Sequence, residues 1–176
     1  TIAKYLDKVL VFHYIGAIEL AIYALAVSPP SHLSGFLSNI KTLTLPKFAE
    51  GDKEKIKAGL NKKIILLGLI IGLIILTYLA LAPFIYKIIF PKYPESILYT
   101  KIFVFSLVEI IGGVFHSFLQ AQKEIKKLYQ YNLFSPAFNI GVILIAVQFG
   151  LMGIVIGRVI NSFLNLIYLF YLTKKE

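Results

Sequence analysis

IILLGLIIGLIILTYLALAPFIY, residues 64–86, decides what kind of protein this is. Its 23 residues carry no charge, and a helix of that length reaches about 35 Å. The hydrocarbon core of a bilayer is about 30 Å thick, so the run crosses it with some tilt. A core helix of a soluble domain this small would keep a charged solvent face. This run has none. Gly68 and Gly72 within it form a G-x-x-x-G step, which either admits a second membrane helix at close range or is tolerated facing lipid.

Outward from this run the composition agrees. Hydrophobic residues make up 58% of the 176-residue chain and mean hydropathy is +0.80, against about 45–50% apolar residues in soluble domains. A soluble fold of this size has too little interior to hide that much apolar surface. The expectation is one all-α, polytopic membrane domain over residues 1–176. The net charge of +9 does not point to nucleic acid, because the lysines cluster between apolar runs, where membrane topology places them. With no cysteine, disulfides and thiolate metal sites are excluded. TIAKYLDKVL at the start lacks the apolar core and small-residue cleavage site of a secretory signal.

Hydropathy and punctuation predict six helices. The first, residues 3–15, is too short to span and reads as truncated, followed by a tight connection at 16–19. The second, residues 20–45, contains Pro29 and Pro30, which remove two backbone donors at mid-helix, where a kink is expected. Residues 46–63, PKFAEGDKEKIKAGLNKK, read as a basic cytoplasmic loop with a short amphipathic helix. The third helix is the opening run, ending near Ala82–Pro83 with a further turn or two available. The fourth covers 96–120, the fifth 128–148 with Pro136 inside it, and the sixth 151–172. That makes five full spans and one partial one.

Polar residues inside these spans follow helical spacing. The second helix places Ser28, Ser31, His32, Gly35, Ser38, Asn39 and Thr42 along one face, and the fourth places Ser106, Glu109, Gly113, His116, Ser117 and Gln120. The fifth gives Asn132, Ser135 and Asn139. The sixth gives Arg158, Asn161, Ser162, Asn165 and Tyr168. The third has nothing comparable, so the second, fourth, fifth and sixth are expected to face each other or a wet cavity while the third faces lipid. Ser and Asn also serve plain helix packing. Glu109 and Arg158 are different, because a charge at mid-membrane costs at least about 2.5–3.5 kcal/mol and so faces a partner or water. The candidate cavity residues are Arg158, Glu109, His116, Asn161, Asn165, Asn139 and His32. Neither His13 nor His116 has metal-ligand spacing, and no nucleophile–base set or phosphate loop is present.

In order and spacing, several short motifs together resemble the C-terminal half of the Wzx-type polysaccharide-export flippases, in the multidrug/oligosaccharidyl-lipid/polysaccharide transporter superfamily. They are Asp7–Lys8, Gly16, Tyr23 with Ala26, Leu45–Pro46–Lys47 and the following Gly51–Asp52–Lys53–Glu54–Lys55. Ala82–Pro83, Phe90 and Tyr93, then Ala121–Gln122–Lys123–Glu124 and Phe149–Gly150–Leu151–Met152–Gly153, continue the series. The family more often has glycine before Lys123, and it carries two lobes where this chain matches one. The resemblance implies one lobe of a two-lobe transporter that flips an anionic lipid-linked oligosaccharide across the cytoplasmic membrane by alternating access, without a cofactor. Its partners would be membrane lipid and an N-terminal lobe of the same protein. Cation-coupled multidrug exporters and peptidoglycan-precursor flippases of the same superfamily are the near rivals. A membrane polymerase or ligase would be expected to carry a larger external loop than residues 87–95. On this reading Arg158, whose planar fork suits phosphate oxygens, contacts the cargo's diphosphate, and Glu109 pairs with Arg158 between cycles.

Eleven lysines (47, 53, 55, 57, 62, 63, 123, 126, 127, 174 and 175) fall on one side of the predicted zigzag, against 87, 92 and 101 on the other. The positive-inside rule makes the rich side and the C-terminus cytoplasmic. A reporter active only outside the cytoplasm should be silent when fused after Gly51, Lys123 or Glu176 and active after Lys92. Activity at Gly51 would reverse the orientation.

Overall fold

The structure, a computed structural model, describes residues 5–39, 48 and 53–174. Thr42, the end of the second predicted helix, the Leu45–Pro46–Lys47 motif and the start of the first helix lie outside the described residues. Among the described residues the chain is helical and has no strand. Four segments are long and apolar enough to cross a membrane: Ala17–Leu37, Lys62–Ile89, Ser96–Ala121 and Ile125–Lys174.

Helix α1, Leu6–Leu10, runs on as a π-helical turn, Val11–Ile15. That turn closes with the Gly16 amide donating to the Val11 carbonyl at 2.9 Å. Gly16 has φ 138°, a conformation that side chains disfavour, and it alone separates α1 from α2 (Ala17–Leu37). The predicted connection at 16–19 is therefore a single residue, because nothing in Ala17–Ile18–Glu19 resists helix once glycine has turned the chain.

Helix α3 runs from Lys53 to Ile89, 37 residues. The basic loop predicted at 46–63 is thus helical from Lys53 onward and continuous with the span. Lys, Glu, Ala and Leu there are good helix formers without a proline, and propagation from the long apolar run adds one hydrogen bond per residue. At about 55 Å the helix exceeds a bilayer core, so its first turns project beyond it. Helix α4, Ser96–Ala121, is α-helical except for a tighter 3-10 stretch at Val104–Val108. Helix α5, Ile125–Ala146, and helix α6, Gly150–Lys174, are joined by a 3-10 turn at Val147–Phe149 and by Gly150 at φ 68°.

Helices α5 and α6 form an antiparallel hairpin. Tyr131 stacks on Tyr168 near one end, while Val142 and Ala146 lie against Gly157 and Gly153 toward the other. A Cβ on Gly157 would lie 2.9 Å from that of Ala146, and one on Gly153 would overlap the Ala146 carbonyl oxygen. This Gly153-x-x-x-Gly157 step is the close-approach motif of the fold. Gly72 of the step singled out in the sequence meets no atom within 4 Å, and Gly68 meets only Ile111 at 3.8 Å.

Helix α4 is the most buried span and α3 the least. The outward face of α3, including Ile65, Leu66, Leu69, Leu73 and Leu76, is exposed, as expected for lipid contact. Its inner face is less plain than its sequence. Ile71, Ile75, Tyr78, Ala82 and Tyr86 are buried against Val104, Leu107 and Ile110 of α4. The Tyr78 hydroxyl lies 2.6 Å from Thr100 Oγ1, and the Tyr86 hydroxyl donates to the Leu25 carbonyl at 2.8 Å. Helix α2 stays helical through Pro29 and Pro30. Pro29 cannot donate to the carbonyl four residues back, which is that of Leu25, and Tyr86 supplies the missing donor. Helix α3, without a polar stripe in its sequence, thus makes its polar contacts through two tyrosines on its inner face.

Forcing a side chain into a tight helix contact costs about 1–3 kcal/mol or more. Gly153→Leu should therefore lower the thermal unfolding temperature of the detergent-solubilised protein, while Gly72→Leu should leave it near wild type. Equal falls would refute the placement of the close contact at the α5–α6 hairpin.

Candidate functional site

The small and polar faces of α2, α4, α5 and α6 converge. Ser31, Ser34, Gly35 and Ser38 of α2, Phe103, Ser106 and Glu109 of α4, Tyr131, Ser135, Pro136 and Asn139 of α5, and Arg158, Asn161, Ser162 and Asn165 of α6 line a cavity of about 530 Å³. Residues on each helix recur at steps of three and four, which keeps them on one face. Helix α3 contributes none of this wall. The four-helix partition drawn from the sequence therefore describes the cavity.

Five of the seven candidate residues, Arg158, Glu109, Asn161, Asn165 and Asn139, are brought together here. His116 lines a smaller cavity of about 200 Å³ that shares Glu109, Tyr131 and Asn165 with the first. Its ring sits 5.5 Å from that of Tyr131. His32 is exposed and lines neither cavity, because one residue past Ser31 turns the side chain about 100° away from the serine face. Ser34 and Tyr131 belong to the wall but were not singled out in the sequence. Ser34 is recoverable from its spacing to Ser31 and Ser38, whereas Tyr131 carries no signal distinguishing it from Tyr129.

The ion pair expected between Arg158 and Glu109 is replaced by another. Arg158 Nε lies 3.6 Å from Asp7 Oδ2. Asp7 is 2% exposed, and its Oδ2 also accepts a 2.5 Å hydrogen bond from the Tyr23 hydroxyl. The backbone amide of Lys8 donates to Oδ1 at 2.9 Å. Helix α1 is thereby held against α2 and α6 around a carboxylate with three contacts. Glu109 is exposed on the cavity wall instead. In the sequence Asp7 appears only within the Asp7–Lys8 motif and not as a partner for Arg158, because it stands 151 positions before it (158 − 7), in a segment too short to look like a span.

The wall's hydrogen-bonding capacity is unevenly used. Ser38 and Ser162 donate back to their own helices, to the carbonyls of Gly35 at 2.6 Å and Arg158 at 3.1 Å, leaving their oxygens as acceptors. Asn139 and Asn161 each hold a buried amide oxygen with no partner. Asp7 engages Arg158 through Nε, and a guanidinium has four further N–H donors. The site is thus a polar recess with one cation, one exposed carboxylate and many hydroxyl and carboxamide groups. Such a surface solvates and orients a polar guest.

A second space adjoins it. Between α5 and α6 lies an apolar groove of about 500 Å³, lined by Phe134, Phe138, Leu164, Ile167, Tyr168 and Tyr171, with Ser135, Asn161 and Asn165 shared with the polar cavity. No family model, curated protein or solved structure matches this chain.

Removing one partner from a buried ion pair costs up to about 3–5 kcal/mol because the other charge is left uncompensated. Arg158→Ala should therefore reduce the folded yield and unfolding temperature. Adding Asp7→Asn should restore much of the loss, whereas adding Glu109→Gln should restore none. Rescue by Glu109→Gln, measured by fluorescence-detected size exclusion after heating, would reinstate the Glu109 pair.

Proposed function

We propose that this protein is one lobe of an alternating-access transporter that moves an anionic, lipid-linked oligosaccharide across the cytoplasmic membrane, with its C-terminus inside. On this reading α1 is a partial span and α2 to α6 are five full ones, completed by an N-terminal lobe. The observation that carries it is the polar cavity itself. Four apolar helices turn their serine, asparagine and charged positions inward around about 530 Å³, an expensive arrangement in a bilayer unless polar cargo occupies it. Arg158, about a quarter exposed, is the group suited to a diphosphate, since its fork binds phosphate oxygens in pairs. Serine hydroxyls and carboxamides suit the sugar. The order of short motifs from Asp7 to Gly153 supports the choice of an oligosaccharide flippase over other transporters.

Glu109 favours a second reading. An exposed carboxylate in a membrane cavity suits a cationic guest, as in a cation-coupled multidrug exporter. The two readings separate by residue. Full-length protein carrying Asp7→Asn with Arg158→Gln, a pair that leaves no buried lone charge, should insert normally and lose export of lipid-linked sugar. Arg158→Lys should keep part of it, and Glu109→Gln should keep most. Sugar export that survives the double substitution at normal abundance would refute the diphosphate role. Drug efflux abolished by Glu109→Gln would favour the exporter.

A further inference from the structure

We infer that the end of the bundle where α6 finishes carries a collar for anionic phospholipid, which takes the head-group phosphates of phosphatidylglycerol from the surrounding leaflet. The collar concerns the lipid around the bundle and needs nothing of the cargo proposed above. Five exposed lysines form it: Lys62 and Lys63 of α3, Lys123 of the α4–α5 turn, Lys126 of α5 and Lys174 of α6. They come from three separate stretches of sequence, and packing brings them to one level. Leu60, Leu119 and Leu172 belong to a single buried cluster with Leu128 packed against it, and each lysine stands within about a turn of one of these leucines. The hairpin register agrees. Tyr131 stacks on Tyr168 and Val142 lies against Gly157, and the same register carried on sets Lys126 level with Thr173, next to Lys174.

That level is the depth of lipid phosphates. From Lys63 to Lys87 along α3 is about 36 Å, and from Lys126 to Gln148 along the hairpin is about 33 Å. Each length matches a hydrocarbon core of about 30 Å with little to spare. Below the lysines the surface turns apolar at once, with Ile65 and Leu66 on α3, Tyr129 on α5 and Tyr171 on α6 all exposed. Lysine stems lie along such a surface while the ammonium reaches the head groups. Lys174 already does so within the protein, its Nζ standing 4.5 Å from the centroid of the Phe170 ring.

Charge balance carries the second observation. Among the described residues none of the five lysines pairs with a carboxylate, and Glu124, the described acid at this end, is held by Lys127 at 3.9 Å. At the opposite end the exposed Lys87 and Lys92 are accompanied by the exposed Glu95 and the half-buried Glu19. The positive-inside rule asks only for basic residues near the ends of spans. It does not require them to share one depth without acids to answer them. Phosphatidylcholine brings its own cation to that depth, whereas phosphatidylglycerol leaves its phosphate for the protein. Each lysine near such a surface is worth about a fivefold preference.

The test is electron paramagnetic resonance of the purified full-length protein in phosphatidylcholine vesicles containing trace spin-labelled lipid. Motionally restricted phosphatidylglycerol should exceed restricted phosphatidylcholine at least about fivefold at low salt, and the excess should shrink at about 1 M salt. Replacing Lys62, Lys63, Lys126 and Lys174 together by glutamine should bring the ratio near one, while Lys87→Gln with Lys92→Gln should leave it unchanged. If the fourfold variant does not accumulate, Lys126→Gln with Lys174→Gln should lower the ratio at least about twofold. Inorganic phosphate at constant ionic strength should not displace the labelled lipid. Equal restriction of the two lipids overturns the collar. So does a preference that the collar substitutions leave intact, or one that the Lys87 and Lys92 substitutions remove equally. Displacement by inorganic phosphate makes this end an ion site and overturns the lipid assignment. None of these outcomes bears on sugar export by the Arg158 variants, so the transport reading stands or falls separately.

Discussion

Hydrocarbon offers no hydrogen bonds, and the fold of this protein follows from that constraint. Each polar group held at membrane depth must find its partner on another helix or in a protein-lined recess. Pro29 breaks the hydrogen-bond ladder of α2 and leaves the Leu25 carbonyl without its donor. Tyr86, in the last turn of α3, answers it at 2.8 Å. Asp7 at the edge of the bundle is answered by Tyr23 and Arg158. These two contacts tie the outermost segments, α3 and α1, to the same helix α2. They do so by satisfying groups that the bilayer cannot satisfy, where water would have made either contact optional.

Apolar packing supplies the remainder, and it is divided in a way that serves the cavity. Helix α4 is buried against α3 on one side through Val104, Leu107 and Ile110, and against α6 through Val114, Phe115 and Phe118. Its remaining face, Ser106 and Glu109, is free to line the polar space. The 3-10 stretch at Val104–Val108 lies immediately before Glu109, a tighter winding of the kind that marks hinges in long helices. The hairpin of α5 and α6 closes the wall, with its closest approach at Gly153 and Gly157 and a Tyr131–Tyr168 stack toward the other end.

Arg158 carries the electrostatics of the recess. Its charge is paired with a sealed carboxylate outside the cavity wall and, on the proposed function, with an anionic cargo inside it. Asp7 reduces the cost of keeping a guanidinium at membrane depth, and it also sets a threshold that a competing anion must exceed. A diphosphate, with more than one charge and several acceptor oxygens, is better suited to that competition than a monoanion. On the proposed function the same residue both stabilises the fold and presents the binding group.

Membrane character was legible from residues 64–86 alone, because helix length and bilayer thickness leave little choice once charges are absent. The four-helix partition of the cavity was legible too. Ser, Asn and charged positions at steps of three and four on α2, α4, α5 and α6 define faces without reference to any neighbour, and faces of that kind turn inward in lipid. What depends on where one helix meets another was not legible. The G-x-x-x-G step at Gly68 and Gly72 matched the pattern but brings no helix backbone close, while Gly153 and Gly157 carry the contact, since spacing along a helix says nothing of what stands opposite. For the same reason Arg158 was assigned to Glu109, the one carboxylate within the long predicted spans, when its partner is Asp7 in a short one. Periodicity is a property of one helix and is written in its own residues. Pairing is a property of two, and only the packed bundle decides it.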